Sequence, residues 1–518
     1  MTEINRPEAP PANPTPAVAD NDSVVNAFGY TQELNRALKF FSLFAVAFSV
    51  VPISTGVFLN YGFAINSFGP AAIWTWPIAA VGQIIMALIM AELATKIPLA
   101  GYAYQWGARL VGSAYGWFVA AFALIYMLVT VGAISLLGIG PLLLTSLGIT
   151  DPDPKLVLAV AAFLMLTAIV INVISVKLAS RVNNLAVFAE IAGTMFLAVL
   201  LLIVWAINTD DPNRASPSIL TDTTRTLDGS AFYCFALAGL IGIYTLVGFE
   251  LSADLSEEAI DSQRAVPRGV IAGVAVSAVL GMIALVSFTL AIPDLNGVQE
   301  SSQPLVTIAE YWLPTPLVRL LVFLVAFSMY ALIVVTIAGA GRLVFSLGRD
   351  NMLPASRHFA DVSHNTKTPI KALVTCGVIM MVMMLWGYFQ TDAFATLIGA
   401  TSLAPYLVYL LIVVAYIIRR KTLAQVEGGF NLGRFGVPLM VVGLVWIVTA
   451  VLVLSVPAPF HGAVKVVAGG AVLAALWYLL VLRRRIGAGK AGVDLYSAKS
   501  AAAQAVTDVV VAERHRPE

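Results

Sequence analysis

The chain has 518 residues, 59% of them hydrophobic and only 11% charged, where a soluble domain runs at roughly 45–50% and about 25%. A soluble fold would leave much of that apolar excess in water, which argues against a cytosolic enzyme, a disordered chain or a nucleic-acid binder. The net charge of +1 supplies no field to draw an acidic partner. Cys234 and Cys376 both lie in apolar stretches, build no disulfide framework and read as small packed hydrophobes.

Residues 1–35 are polar and proline-rich, and read as a disordered cytoplasmic tail without a signal-peptide pattern. A bilayer span takes about 20 mostly apolar residues. The charge-free run 40–91 holds two spans, split near Asn66, Ser67, Phe68, Gly69 and Pro70. Further runs follow at 110–150, 156–176, 182–209 (interrupted only by Glu190), 229–249, 269–293, 320–341, 372–391, 393–418, 435–464 and 466–482. Twelve transmembrane helices are predicted, all-α, because the runs are continuous rather than alternating as in a barrel. The connection 346–370 is expected to hold a short helix, the loop 208–230 is rich in Asp, Pro and Thr, and 486–518 forms a second polar tail. No segment fits a soluble catalytic domain.

Lysine and arginine mark the cytoplasmic side. With both termini inside, all of the 30 basic residues fall inside except Lys155, Arg214, Arg225, Arg319 and Lys465. The expected location is a cell membrane, with a bacterial inner membrane favoured by the short termini.

Backbone facing lipid must stay hydrogen-bonded, so interruptions within spans are informative. The first span contains Pro52, Ile53, Ser54, Thr55 and Gly56. The sixth contains Tyr244, Thr245, Leu246, Val247, Gly248, Phe249 and Glu250. An unwound segment frees N–H groups at the start of one half-helix, where the dipole holds a carboxylate, and carbonyls at the end of the other, which can hold an ammonium. Glycine and proline alone also serve close packing between membrane helices. Interruptions at matching positions of two halves point to a transporter site.

At these residues the chain resembles the amino acid–polyamine–organocation superfamily of secondary transporters, and its amino acid/choline transporter branch in particular. The resemblance runs in order over about residues 29–370. It includes Phe28 through Arg36, Ser54-Thr55-Gly56-Val57-Phe58, Gly82-Gln83, Ala91-Glu92-Leu93-Ala94 and Pro98 through Trp106. It continues with Gly248-Phe249-Glu250, Ser256-Glu257-Glu258, Val266-Pro267-Arg268, Gly341 through Phe345, Gly348-Arg349-Asp350 and Leu353-Pro354.

This resemblance implies a twelve-helix domain over 36–485. Two inverted five-helix repeats would cover about 38–207 and 229–419, with peripheral helices at about 435–483. It implies alternating access, with Ser54, Thr55, Gly56 and Val57 meeting a substrate carboxylate. Tyr244, Thr245, Leu246 and Gly248 would line the amine side. Tyr244 and Phe249 stand as gates, and Glu250 as a gate or proton-linked acid. Ser54 departs from the glycine that many relatives carry there.

Glu190 is ionisable within a span, a functional hypothesis by default. Some proton-linked relatives carry a lysine at this position. The reversed sign blocks a direct transfer of that role, but a buried carboxylate can take up and release a proton. It can equally be a structural acid. Glu92, near a span end, reads as structural. Histidines fall in loops, a span end or a tail, and no metal-ligand cluster or cofactor is expected. Ser328 and Thr336 on the eighth span are not adjacent, which lowers the case for sodium. Tyr126, Tyr330, Tyr406 and Tyr409 are candidates to shape the pocket, and Gly82 and Gln83 are expected to pack against the first span.

The leading reading is a symporter or exchanger for a small amino acid or ω-amino acid such as 4-aminobutyrate. Its partners are the solute, the lipid bilayer and protons. A carrier of choline, ethanolamine or polyamines is the rival, and a non-transporting amino acid sensor a third possibility. A channel would show charged rings or a repeated pore motif, and an enzyme would show convergent nucleophiles; neither pattern is visible.

Overall fold

The computed structural model describes residues 37–51, 53–390, 392–423 and 429–493. The N-terminal tail, the stretch Phe28 through Arg36, Pro52 and residues 494–518 lie outside the described residues, together with the expectations placed on them.

The protein is all-α: among the described residues the only extended pairing is an isolated bridge between Leu38 and Ala259. The first span is two helices, α1 (Phe40–Val50) and α2 (Ile53–Phe68). Val51 leaves helical geometry at φ −105° and ψ 53°. Gly69, in the left-handed region at φ +71°, turns the chain into a 3₁₀ turn and α3 (Thr75–Lys96). A β-carbon at Gly69 would sit 2.7 Å from the backbone of Thr223, so only glycine fits this crossing.

Then follow α4 (Tyr102–Leu110), α5 (Ser113–Ile134), α6 (Pro154–Ile174) and α7 (Val176–Glu190). Ser175 caps α7 by accepting from the N–H of Lys177 at 3.1 Å. Directly after Glu190 the fifth span makes one π turn, Ile191–Met195, before α8 (Phe196–Ile207). The sixth span is in pieces: α9 (Ala231–Ala238), α10 (Leu240–Thr245) and α11 (Leu251–Asp254). The rest are α12 (Ser262–Leu290), α13 (Thr315–Arg349), α14 (Ile370–Tyr388), α15 (Ala393–Arg419), α16 (Gly436–Ser455) and α17 (His461–Trp477).

Eleven described helical stretches are long and apolar enough to cross a bilayer. The twelfth predicted span is the sixth, whose longest apolar helical stretch, Ala231–Thr245, falls short because the chain leaves the helix at Leu246. Phe163, Val378, Val445, Leu473 and Leu480 point outward from the outer helices, as lipid-facing residues do.

The packing has an internal regularity. The third span lies along the tenth (α5 on α15) and the eighth along the fifth (α13 on α7). The third also packs on the ninth (α5 on α14), and the eighth on the fourth (α13 on α6). Exchanging each span for the one five later turns each pair into its mate. The second–seventh, third–eighth and fourth–ninth contacts map onto themselves. Helices α16 and α17 stand outside this scheme, against α15, α3 and α5.

One end of the bundle is closed by buried ion pairs. Glu92 accepts from Arg420 at 2.9 Å and lies 3.3 Å from Lys96, joining α3 to the end of α15. Arg342 of α13 pairs with Glu258, whose carbonyl takes the N–H groups of Ala37 and Leu38 at 3.0 Å. Glu257 accepts from the Ala100 N–H at 3.0 Å and from Arg349 at 3.2 Å. We call this the basic end. Toward the opposite end lies a cavity of about 290 Å³ lined by Phe58, Gln303, Asp151, Pro141 and Phe394, among others.

Candidate substrate site

The two interrupted spans meet side by side, α10 against α2. The contact is close because Gly56 has no side chain: a β-carbon there would overlap the Thr245 side chain. The amide of Asn60 donates to the Gly56 carbonyl at 2.9 Å and steadies this turn.

In the sixth span, α10 ends at Leu246, and Gly248 reverses the chain at φ +92°. A β-carbon on Gly248 would collide with the Tyr126 hydroxyl and with Val50. Among the described residues nothing donates to the carbonyls of Tyr244, Thr245, Leu246 and Val247. Buried unpaired carbonyls are rare enough to mark a place built for another donor. The bend is braced from α15. The Tyr406 hydroxyl donates to the Ile243 carbonyl at 3.1 Å, and the Tyr409 hydroxyl donates to Glu250 at 2.6 Å and accepts from the Gly248 N–H at 3.3 Å. Phe249 stacks on the Tyr409 ring at 5.9 Å.

Between the two interruptions is a cavity of about 20 Å³ lined by Val50, Thr55, Tyr126, Thr130, Ile134, Tyr244, Thr245, Val247, Leu332 and Thr401. That holds about one water, so the site is closed around its own side chains. Two of its hydroxyls, on Thr55 and Thr401, are buried without a partner in the described structure.

Of the residues expected to meet a solute, Thr55, Tyr244 and Thr245 line this cavity. Gly56 forms the interhelical contact, and Gly248 the bend. Val57 and Leu246 are buried but do not line the cavity, while Phe249 and Glu250 brace it from behind. Tyr126 lines it, whereas Tyr330 bonds Thr167 at 2.8 Å elsewhere. Gly82 and Gln83 do not pack as expected. A β-carbon at Gly82 would meet Trp446 of α16, and Gln83 donates to Tyr406. Thr130 and Thr401 were not anticipated, although Thr130 sits one helical turn beyond Tyr126 and so shares its face.

Ser54 has a different role from the one its position implied. Its N–H donates to Glu190 at 3.2 Å, its hydroxyl lies 3.4 Å from the same oxygen, and it also donates to Ser328 at 3.3 Å. Ser328 in turn donates to the other Glu190 oxygen at 3.0 Å. The first half-helix start does hold a carboxylate, but that carboxylate belongs to the protein. Glu190 therefore links the first, fifth and eighth spans, at the point where the fifth makes its π turn. Such turns recur at functional positions.

A multi-span helical membrane protein with two interrupted helices meeting at a small cavity edged with hydroxyls has the architecture of a secondary transporter. The sequence profile of the amino acid permease family matches residues 38–481, and the chain belongs to that family, within the amino acid–polyamine–organocation superfamily. It is 24% identical over 477 residues to the amino-acid permease BAT1 of Arabidopsis thaliana, covering 86% of this chain and 90% of that one. It is 24% identical over 480 residues to a GABA-specific permease of Saccharomyces cerevisiae, covering 87% and 80%. To the thiamine transporter thi9 of Schizosaccharomyces pombe it is 22% identical over 526 residues, covering 90% and 86%.

Proposed function

We propose that this permease moves a small amino acid or ω-amino acid such as 4-aminobutyrate by alternating access, with Glu190 carrying the coupled proton. The observation that carries the solute assignment is the small cavity between the interruptions. It offers unpartnered hydroxyls on Thr55 and Thr401 next to carbonyls of the sixth span that lack donors. Acceptors on one side suit an ammonium, and donors on the other suit a carboxylate. The exchange symmetry of the packing supports two five-span repeats rocking around this point. The ion pairs at the basic end, which the charge distribution assigns to the cytoplasm, and the 290 Å³ cavity toward the other end support an outward-leaning closed state.

One observation favours a second reading, a cationic amine. Glu250 is a fully buried carboxylate beside the bend, and one relative carries thiamine. Counterflow in proteoliposomes separates the readings. Labelled 4-aminobutyrate or a small amino acid should exchange saturably and resist competition by choline and thiamine. Exchange of the cations alone would replace the first reading with the second. Binding without exchange would identify a sensor.

A further inference from the structure

A second buried cavity, of about 30 Å³, lies between the first, fourth, fifth and eighth spans, just inside the basic end. Its polar lining is Asn172, Ser180, Asn183 and Arg342. Asn172 donates to the carbonyls of Ala168 and Val334 at 3.0 and 2.9 Å. Arg342 is engaged by Glu258 and by the Ala338 carbonyl. Asn183 is different: its side chain is 1% exposed, and neither its Nδ2 nor its Oδ1 has a partner among the described residues. A buried amide with both ends unmet is a costly arrangement unless something fills it. The wall is mostly apolar and the space has room for about two waters; the two or more polar partners a water needs are supplied by Asn183 and its polar neighbours.

Asn183 and Glu190 are seven residues apart on α7, two helical turns, and so lie on the same face about 10 Å apart along the axis. We infer that this cavity is a hydration site that connects Glu190 to the basic end, and that Asn183 is the residue that holds its water. The inference rests on Glu190 being the proton carrier. Val46 of α1 lines the cavity, and α1 ends at Val50, shortly before the first turn of α2, whose Ser54 holds Glu190. Movement of α1 as a unit would join the water to the carboxylate. A proton leaving the Glu190 carboxyl would pass to water and onward to bulk, leaving the carboxylate with its donors from Ser54 and Ser328.

The charged groups around this route are few. Arg342 is held by Glu258. Asp254 of α11 lies against Gly339 of α13, 3.5 Å from where a β-carbon would be. Lys177 and Arg181 of α7 are exposed. The facing groups on α2 and α13 at Glu190 itself are the hydroxyls of Ser54 and Ser328.

The test uses the full-length protein in proteoliposomes. Asn183→Leu keeps the branched outline, removes the polar atoms and has the adjoining cavity to take its extra bulk, so it should fold about as well as the parent. Solute-driven proton flux at saturating solute should fall about tenfold, while solute counterflow, which needs no net proton release, stays at the parent rate. Asn183→Ser, which can still hold water, should restore most of the flux. In addition, Ser180→Cys should react with a small charged thiosulfonate added from the basic end. Unchanged proton flux in Asn183→Leu, or no reaction at Ser180→Cys, overturns the hydration route. Glu190→Gln is the control for the reading beneath it. If that variant keeps a parent-like pH profile, Glu190 is not the carrier. If it flattens the profile while Asn183→Leu changes nothing, the carrier stands and the route falls.

Discussion

Ser54 and Gly56 sit two positions apart and do opposite things. Ser54 turns to the fifth and eighth spans and holds Glu190. Gly56 turns to the sixth and disappears beneath Thr245. In the sequence both belong to one expected carboxylate-binding stretch, because neighbouring residues beside a helix interruption are indistinguishable until the surrounding helices are placed. Gly56→Ala should therefore fail by collision, with solute binding lost in a thermal-shift assay even though alanine is the better helix former. Normal binding by Gly56→Ala would show that α2 and α10 are not held this close. Glu190→Gln retains hydrogen-bonding capacity but not the titration. It should leave counterflow intact and flatten the dependence of uptake on pH. A parent-like profile would retire the proton role.

At the scale of the element, both interruptions were legible as glycine, proline and hydroxyl residues within charge-free runs, because such residues cannot continue an ordinary lipid-facing helix without help. Their supports were not legible. Tyr409 lies 159 positions from Glu250 and 161 from Gly248 along the chain, and no local pattern announces such pairings. Tyr409→Phe removes the donor to Glu250 and the acceptor for the Gly248 N–H. With buried groups left unmet, a loss of about 1–3 kcal/mol in stability is expected. Calorimetry should show a lower unfolding temperature, and uptake should fall more than in Tyr330→Phe, whose hydroxyl bonds Thr167 outside the cavity lining. Equal effects of the two substitutions would detach Tyr409 from the bend. The sixth span also corrects a simple hydropathy count. It is apolar throughout, yet its helix is too short to cross, because the bend at Gly248 falls inside the apolar run.

For the whole molecule, the number and order of apolar segments carried nearly all of the architecture, since lipid leaves helices as the available solution for such runs. The exchange relation between packed pairs was visible only as two matching interruptions. The remaining relations arise from contacts that sequence spacing does not encode. The ion pairs at the basic end hold the molecule shut. Arg342 and Glu258 are both almost fully buried, so Arg342→Met alone leaves a carboxylate without its partner and should destabilise the fold by about 3–5 kcal/mol. Replacing Glu258 by Gln in the same chain should recover much of that stability while leaving the basic end easier to open. The double variant should then label faster than the parent at Ser180→Cys. A double variant as closed as the parent would move the lock to Glu92 and Glu257.

The turn that carries Ser54 touches Glu190 on one side and, through the next residue, the solute cavity on the other. If the proposed proton role of Glu190 holds, this shared turn couples the two places, and thermodynamics makes the effect mutual: whatever factor protonation lends to solute affinity, bound solute must lend to proton affinity. A single backbone turn would thus set the exchange rate between the two cargoes. Calorimetric titrations at several pH values in buffers of different ionisation enthalpy would measure that factor twice, once from each direction.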